Sequence, residues 1–152
     1  MNTTMQKFGY PDTLVKEYQK WVVVLRPQQV TLGSLVLICQ DVASKFSLIS
    51  PEAFAELPYA IREIEAGLSK AFSYEKINYL MLMMVDPDVH FHVIPRYGTT
   101  RTFCHQHFFD HGWPGPPLLK NSNETSQEMN QEILTHLKNS WGHKNTCYFS
   151  PK

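Results

Sequence analysis

The sequence predicts an α+β fold, a mainly antiparallel sheet of about five strands with one long helix across it, and three observations carry that expectation. Two short runs rich in β-branched and large apolar residues, 21–25 (WVVVL) and 35–39 (LVLIC), flank RPQQVTLGS, which is punctuated by Pro27 and Gly33. Two further apolar runs, 77–84 (INYLMLMM) and 89–95 (VHFHVIP), stand on either side of Asp86-Pro87-Asp88, which reads as a tight turn. Between the two pairs, Phe54, Leu57, Ile61, Ile64, Leu68 and Phe72 step by three and four and form one helical stripe.

In chain order, 10–20 (YPDTLVKEYQK) comes first. Pro11 and Asp12 suit a first turn, and Leu14, Val15 and Tyr18 sit at helical spacing, so a short opening helix is expected. The two strands at 21–25 and 35–39 follow. Ser50, Pro51 and Glu52 then start the long helix with a hydroxyl cap, a proline at the first helical position and an acid near the positive end of the dipole. Pro58 lacks an N–H and clashes with the preceding turn, so a kink or break is expected there. The strands at 77–84 and 89–95 come next. Residues 98–121 change character and read as an ordered, irregular excursion whose aromatics, Phe103, Phe108, Phe109 and Trp113, need a surface to bury against. Thr125 with Glu128 forms a capping box, and Met129, Ile133, Leu137 and Trp141 recur every four residues, predicting a last amphipathic helix. The organisation expected is one domain over 1–152, with a core at 20–97 and an extension at 98–152.

Charge narrows the partners. Fourteen basic side chains balance fourteen acidic ones in 152 residues, so a nucleic-acid polymer would find no net attraction. The longest apolar run, Tyr79 to Val85, is far shorter than a membrane span, and the start MNTTMQKFGY has no signal-peptide core. Three cysteines, Cys39, Cys104 and Cys147, are widely spaced with no C-x-x-C, which predicts neither a disulfide framework nor a zinc knuckle. A soluble protein of the reducing cytoplasm, with no membrane partner, is the expectation.

The chemistry concentrates in DVHFHVI. Period-two alternation puts Val89, Phe91 and Val93 on one face and Asp88, His90 and His92 on the other. Same-face neighbours on a strand lie roughly 7 Å apart, close enough to address one phosphate-sized group. Burying three titratable groups in a row costs stability unless they have partners. Three functional readings compete with a purely structural role. Neutral imidazole can attack phosphorus and leave again, splitting one substitution into two. H-x-H can instead supply two metal ligands, with His105, His107 and His111 completing a site. General acid–base catalysis without a covalent step is the third.

DVHFHVIPRY resembles the signature of the histidine triad superfamily, in which three histidines alternate with apolar residues on one strand and often run on into Pro-Arg. VVVLRPQQVTLGSLVLI is similar to that family's glycine-containing hairpin, and the Ser50-capped helix falls where the family places its long helix. The resemblance covers about 20–97. It implies nucleotide binding and cleavage at the α-phosphorus, with the nucleotidyl group passing to the middle histidine and then to water or another acceptor.

Position by position, the resemblance makes His90 the nucleophile and His92 the residue that binds the phosphate and sets geometry. Two positions depart from the family: Asp88 replaces the first histidine, and Ser34, beside Gly33, replaces a further one. Their joint change points to altered supporting contacts around His90. Arg26 falls where the family has a short polar residue near the ribose, which makes it a candidate for a phosphate or another sugar, with a solvated arginine as the alternative. Arg96 and Arg101 are candidate phosphate partners, because a guanidinium matches phosphate oxygens bidentately, and Asn78 is a candidate for a substrate group. The expected activity is hydrolysis or transfer on a dinucleoside polyphosphate or nucleoside phosphoramidate, with no tightly bound cofactor and no metal. The resemblance also implies a homodimer formed through the long helix and an edge strand. A nucleotide-binding module without turnover and a metal-dependent hydrolase are the alternatives.

Overall fold

The structure, a computed structural model, describes residues 2–141. Five strands form one antiparallel sheet in the order β1-β2-β3-β5-β4. They are β1 (Leu14–Glu17), β2 (Trp21–Leu25), β3 (Leu35–Cys39), β4 (Lys76–Leu80) and β5 (His90–Arg96). The two central strands form where their β-branched runs predict them, and every residue of each is buried. Gly33 makes the turn between them with φ +88, and a Cβ there would come within 2.9 Å of the Phe72 ring, so glycine is needed twice over.

Helix α2 (Pro51–Phe72) crosses one face. Its start is as predicted, with the Ser50 side chain accepting from the Ala53 N–H and Pro51 at the first position. Pro58 neither breaks nor ends it, because that side of the helix is exposed and solvent can satisfy the carbonyl that loses its partner. Phe54 is 41% exposed, contrary to the expected stripe. The buried stripe runs through Ala53, Ala60, Ile64, Gly67, Leu68 and Phe72, whose small members let the helix axis approach the sheet. The core lies between this stripe and Trp21, Val23, Leu25, Leu35, Leu37, Cys39 and Val93.

The opposite face is covered by the N-terminal segment. Helix α1 (Thr3–Lys7) and Phe8 lay Met5 and Phe8 against Val22, Val24, Val36 and Ile38. The helix expected at 10–20 is absent: those residues make β1, whose Lys16 and Glu17 pair with Val23 and Val22. Ladder pairing along the edge of β2 outweighs a weak helical period over one turn.

β4 and β5 are adjacent, as expected, but β4 stops at Leu80 and Asp86-Pro87-Asp88 is not a tight turn between them. Residues 81–89 form a loop, because Asp86 and Asp88 are engaged elsewhere: Lys7 holds Asp86, and Thr3 and Thr4 hold Asp88. The excursion after Tyr97 is less irregular than predicted, since β6 (Arg101–Phe103) and β7 (Gln106–Phe108) pair as a small hairpin. The last helix, α3 (Gln127–Ser140), is capped by Ser126 instead of Thr125. It buries Ile133, Leu134 and Leu137 against α2 and β1, and Trp141 sits over Gly67. The expected extension beyond Trp141, with Cys147, lies outside the described residues. No described helix is long and apolar enough to cross a membrane.

Candidate active site

The side chains of His90 and His92 lie on the sheet face away from α2, beside Ile38 and Val36 of β3. Their ring centroids are 5.2 Å apart and nearly perpendicular, at 80°. The Phe8 ring closes over both, 6.2 Å from His90 and 5.9 Å, edge-on, from His92. With Lys7, Arg26, the loop at 82–86 and Lys120 these rings line a cavity of about 350 Å³.

Hydrogen bonding gives the two imidazoles different roles. His90 Nδ1 lies 2.6 Å from the Asp88 carbonyl, and because a carbonyl can only accept, that nitrogen carries the proton. Nε2 is then the nitrogen with the free lone pair. Among the described residues, neither His92 Nδ1 nor Arg26 Nε, both buried, has a hydrogen-bond partner. Arg26 is otherwise held through Nη1 to the Gln28 carbonyl at 2.8 Å. Buried polar atoms without partners are rare, and two of the residues that line the cavity with the His90 imidazole each carry one. Burial first, then the Arg26 guanidinium and His90, lower the His92 pKa to about 4 against the opposing pull of Asp86. His92 is therefore neutral across the physiological range. Burial also lowers the Arg26 pKa from its high usual value, and the group stays a cation.

The remaining sequence candidates fall elsewhere. The Asp88 carboxylate lies on the histidine side of the sheet but is spent on helix α1. It accepts from Thr4 Oγ1 at 2.8 Å, the Thr4 N–H at 3.1 Å and Thr3 Oγ1 at 3.3 Å. Ser34 is not beside it: β3 pairs Leu35 with Val93 but Ile38 with His90, a register that sets Ser34 and Asp88 about 20 Å apart along the strands. The Ser34 hydroxyl accepts from the Thr31 N–H and donates to the Thr31 carbonyl, and its own carbonyl takes the Arg26 N–H. Ser34 thus shapes the turn that carries Arg26 and does not touch His90.

Arg96 is committed as well. Nε and Nη2 form a two-point ion pair with Asp110 at 2.7 and 2.9 Å, and Nη1 donates to Asn78 Oδ1 at 2.7 Å. Burial pushes the Asp110 carboxyl up, but the Arg96 and Tyr97 hydrogen bonds outweigh it and hold the carboxyl below its usual range. Asn78 and Arg96 line a separate cavity of about 750 Å³ at β4, against Trp113–Pro117. Arg101 donates to the Phe72 and Ser73 carbonyls at the end of α2 and stacks on Tyr97. Among the described residues, no three His, Cys, Asp or Glu side chains gather as a metal site, so His105, His107 and His111 do not complete one with the H-x-H pair. Phe8, Lys7 and Lys120 went unread in the sequence, because nothing local ties the N-terminus or the loop before α3 to the histidine strand.

No family model and no curated protein matches the chain. Solved structures share its fold. A histidine triad protein from Sinorhizobium meliloti superposes with a TM-score of 0.72 at 20% identity over 92% of this chain and 95% of its own. One from Bradyrhizobium japonicum gives 0.69 at 14% identity over 92% and 96%. A Plasmodium falciparum diadenosine triphosphate hydrolase gives 0.59 at 10% identity over 85% and 76%. The chain has the histidine triad fold.

Proposed function

We propose that this protein cleaves a nucleotide derivative at its α-phosphate through a nucleotidyl–His90 intermediate. The observation that carries the reading is the His90 ring, whose Nδ1–H is clamped by the Asp88 carbonyl beside the two partnerless atoms, His92 Nδ1 and Arg26 Nε. His90 Nε2 attacks phosphorus, a P–N bond forms, and the bond to the leaving group breaks. Water then attacks the same phosphorus, the P–N bond breaks, and the mononucleotide leaves with His90 restored. Neutral His92 and the Arg26 guanidinium face the phosphate and its charge. The substrate class is a dinucleoside polyphosphate or a nucleoside phosphoramidate, in keeping with the diadenosine triphosphate hydrolase that shares the fold. The same reading includes a homodimer through α2 and the free edge of β4, which light scattering would detect.

Chromatography of mononucleotides released from dinucleoside polyphosphates, nucleotide sugars and nucleoside phosphoramidates tests the proposal, with a chelator present and His90→Ala as control. Release that resists the chelator and vanishes in the variant is the expected result. No release from any compound, with mononucleotide binding seen by calorimetry, would replace it with a binding module that lacks turnover. Release lost with the chelator would replace it with a metal-dependent hydrolase.

A further inference from the structure

We propose that Asp88 is a positioning residue whose carboxylate latches helix α1 over the histidine pair and so sets the wall of the nucleotide cavity. The inference rests on the proposed function for its substrate and on geometry for the latch. One residue faces two ways: the Asp88 side chain takes the Thr4 N–H and the Thr3 and Thr4 hydroxyls, while its carbonyl takes His90 Nδ1–H. The position of α1 and the orientation of the nucleophile are thereby joined at one backbone unit.

Helix α1 depends on such anchors. It has five residues, too few to hold a helix by local bonding alone. Asn2 reaches the Cys39 carbonyl at 2.9 Å and Lys7 pairs with Asp86 at 3.0 Å, but the Lys7 pair is half exposed and Asp88 supplies the buried contact. Hydrogen bonds to a buried carboxylate are the strong kind. Beyond the latch, Phe8 covers both imidazoles and Lys7 brings a cation to the cavity mouth. An aspartate that slackened would leave the histidines in place on β5 and move the wall, which alters substrate capture more than chemistry.

The test compares wild type with Asp88→Asn, Thr4→Val, their double variant and the conservative Thr4→Ser. Each of the first two is expected to raise KM for the nucleotide substrate about tenfold, with a smaller change in kcat. The double variant is expected to be no worse than either single one, and Thr4→Ser to recover wild-type KM. A second readout needs no turnover: the rate at which diethyl pyrocarbonate modifies His90 and His92, mapped by peptide mass, is expected to rise in Asp88→Asn and in Thr4→Val. A fall in kcat in Asp88→Asn that Thr4→Val does not share would overturn the latch in favour of direct action on His90. Unchanged histidine reactivity in both variants would overturn it too. Wild type without nucleotide turnover would sink the proposed function, and the reactivity measurement would still decide the latch.

Discussion

The even-numbered face of β5 carries polar groups at both ends, and the two ends differ in what their nitrogens bind. At one end every side-chain nitrogen of Arg96 has a protein partner, Asp110 twice and Asn78 once. At the other, His92 Nδ1 and the neighbouring Arg26 Nε are buried with none among the described residues. Both clusters are equally improbable in an apolar strand, so polarity alone does not mark a site. What separates them is completeness: one cluster is saturated by protein partners, and the other, beside a cavity, is not.

The sharpest way to break this contrast is at its two ends. His90→Ala is expected to lower turnover by on the order of 10⁴-fold or more while the thermal midpoint moves little, read from product release beside calorimetry. Arg96→Met should do the reverse. Removing the guanidinium strands the Asp110 carboxylate, which is 2% exposed, and unfolding free energy from urea titration should fall by about 3–5 kcal/mol. If Arg96→Met instead abolished turnover in folded protein, the assignment of a structural end and a chemical end would be wrong.

A finer test uses Arg26→Gln, which keeps much of the side chain's length and removes the charge. Affinity for a mononucleotide is expected to weaken about tenfold to a hundredfold, and less so at high salt, as titration calorimetry would show. The smallest effect concerns protons. The His92 pKa drops from its usual 6.5 when unfolded to about 4 when folded, so between those values the unfolded chain holds a proton that the native one lacks. Stability is expected to be flat for this group above 6.5 and to fall as pH drops from there towards 4. Urea midpoints at about pH 7.5 and about pH 5 should differ, and His92→Asn should shrink that difference.

Much of this architecture was legible in the sequence because it is written in short-range patterns. Runs of β-branched residues placed β2 and β3, a hydroxyl followed by proline placed the start of α2, and period two placed His90 beside His92. The failures have two physical sources. The latched Asp88 and the paired Arg96 depend on partners outside any local window, 84 positions away for Thr4 and Asp88, whereas β1 pairs with the very next strand and was hidden by a helical spacing that its short run also fits. Alternation itself reaches past the start of β5: Val89 joins the core beneath α2, while Asp88 meets α1 on the histidine side.

By itself, then, the sequence determined which segments alternate, where the long helix begins, and that two imidazoles stand on one side of one strand. Those are properties of a chain with its neighbours. Only the tertiary structure decided which polar groups are satisfied, which cations reach the histidines and what covers them. A hydrogen bond or an ion pair is set by separation in space, and folding brings the N-terminal helix, the β2–β3 turn and the loop before α3 to one cavity with no local signal to announce it.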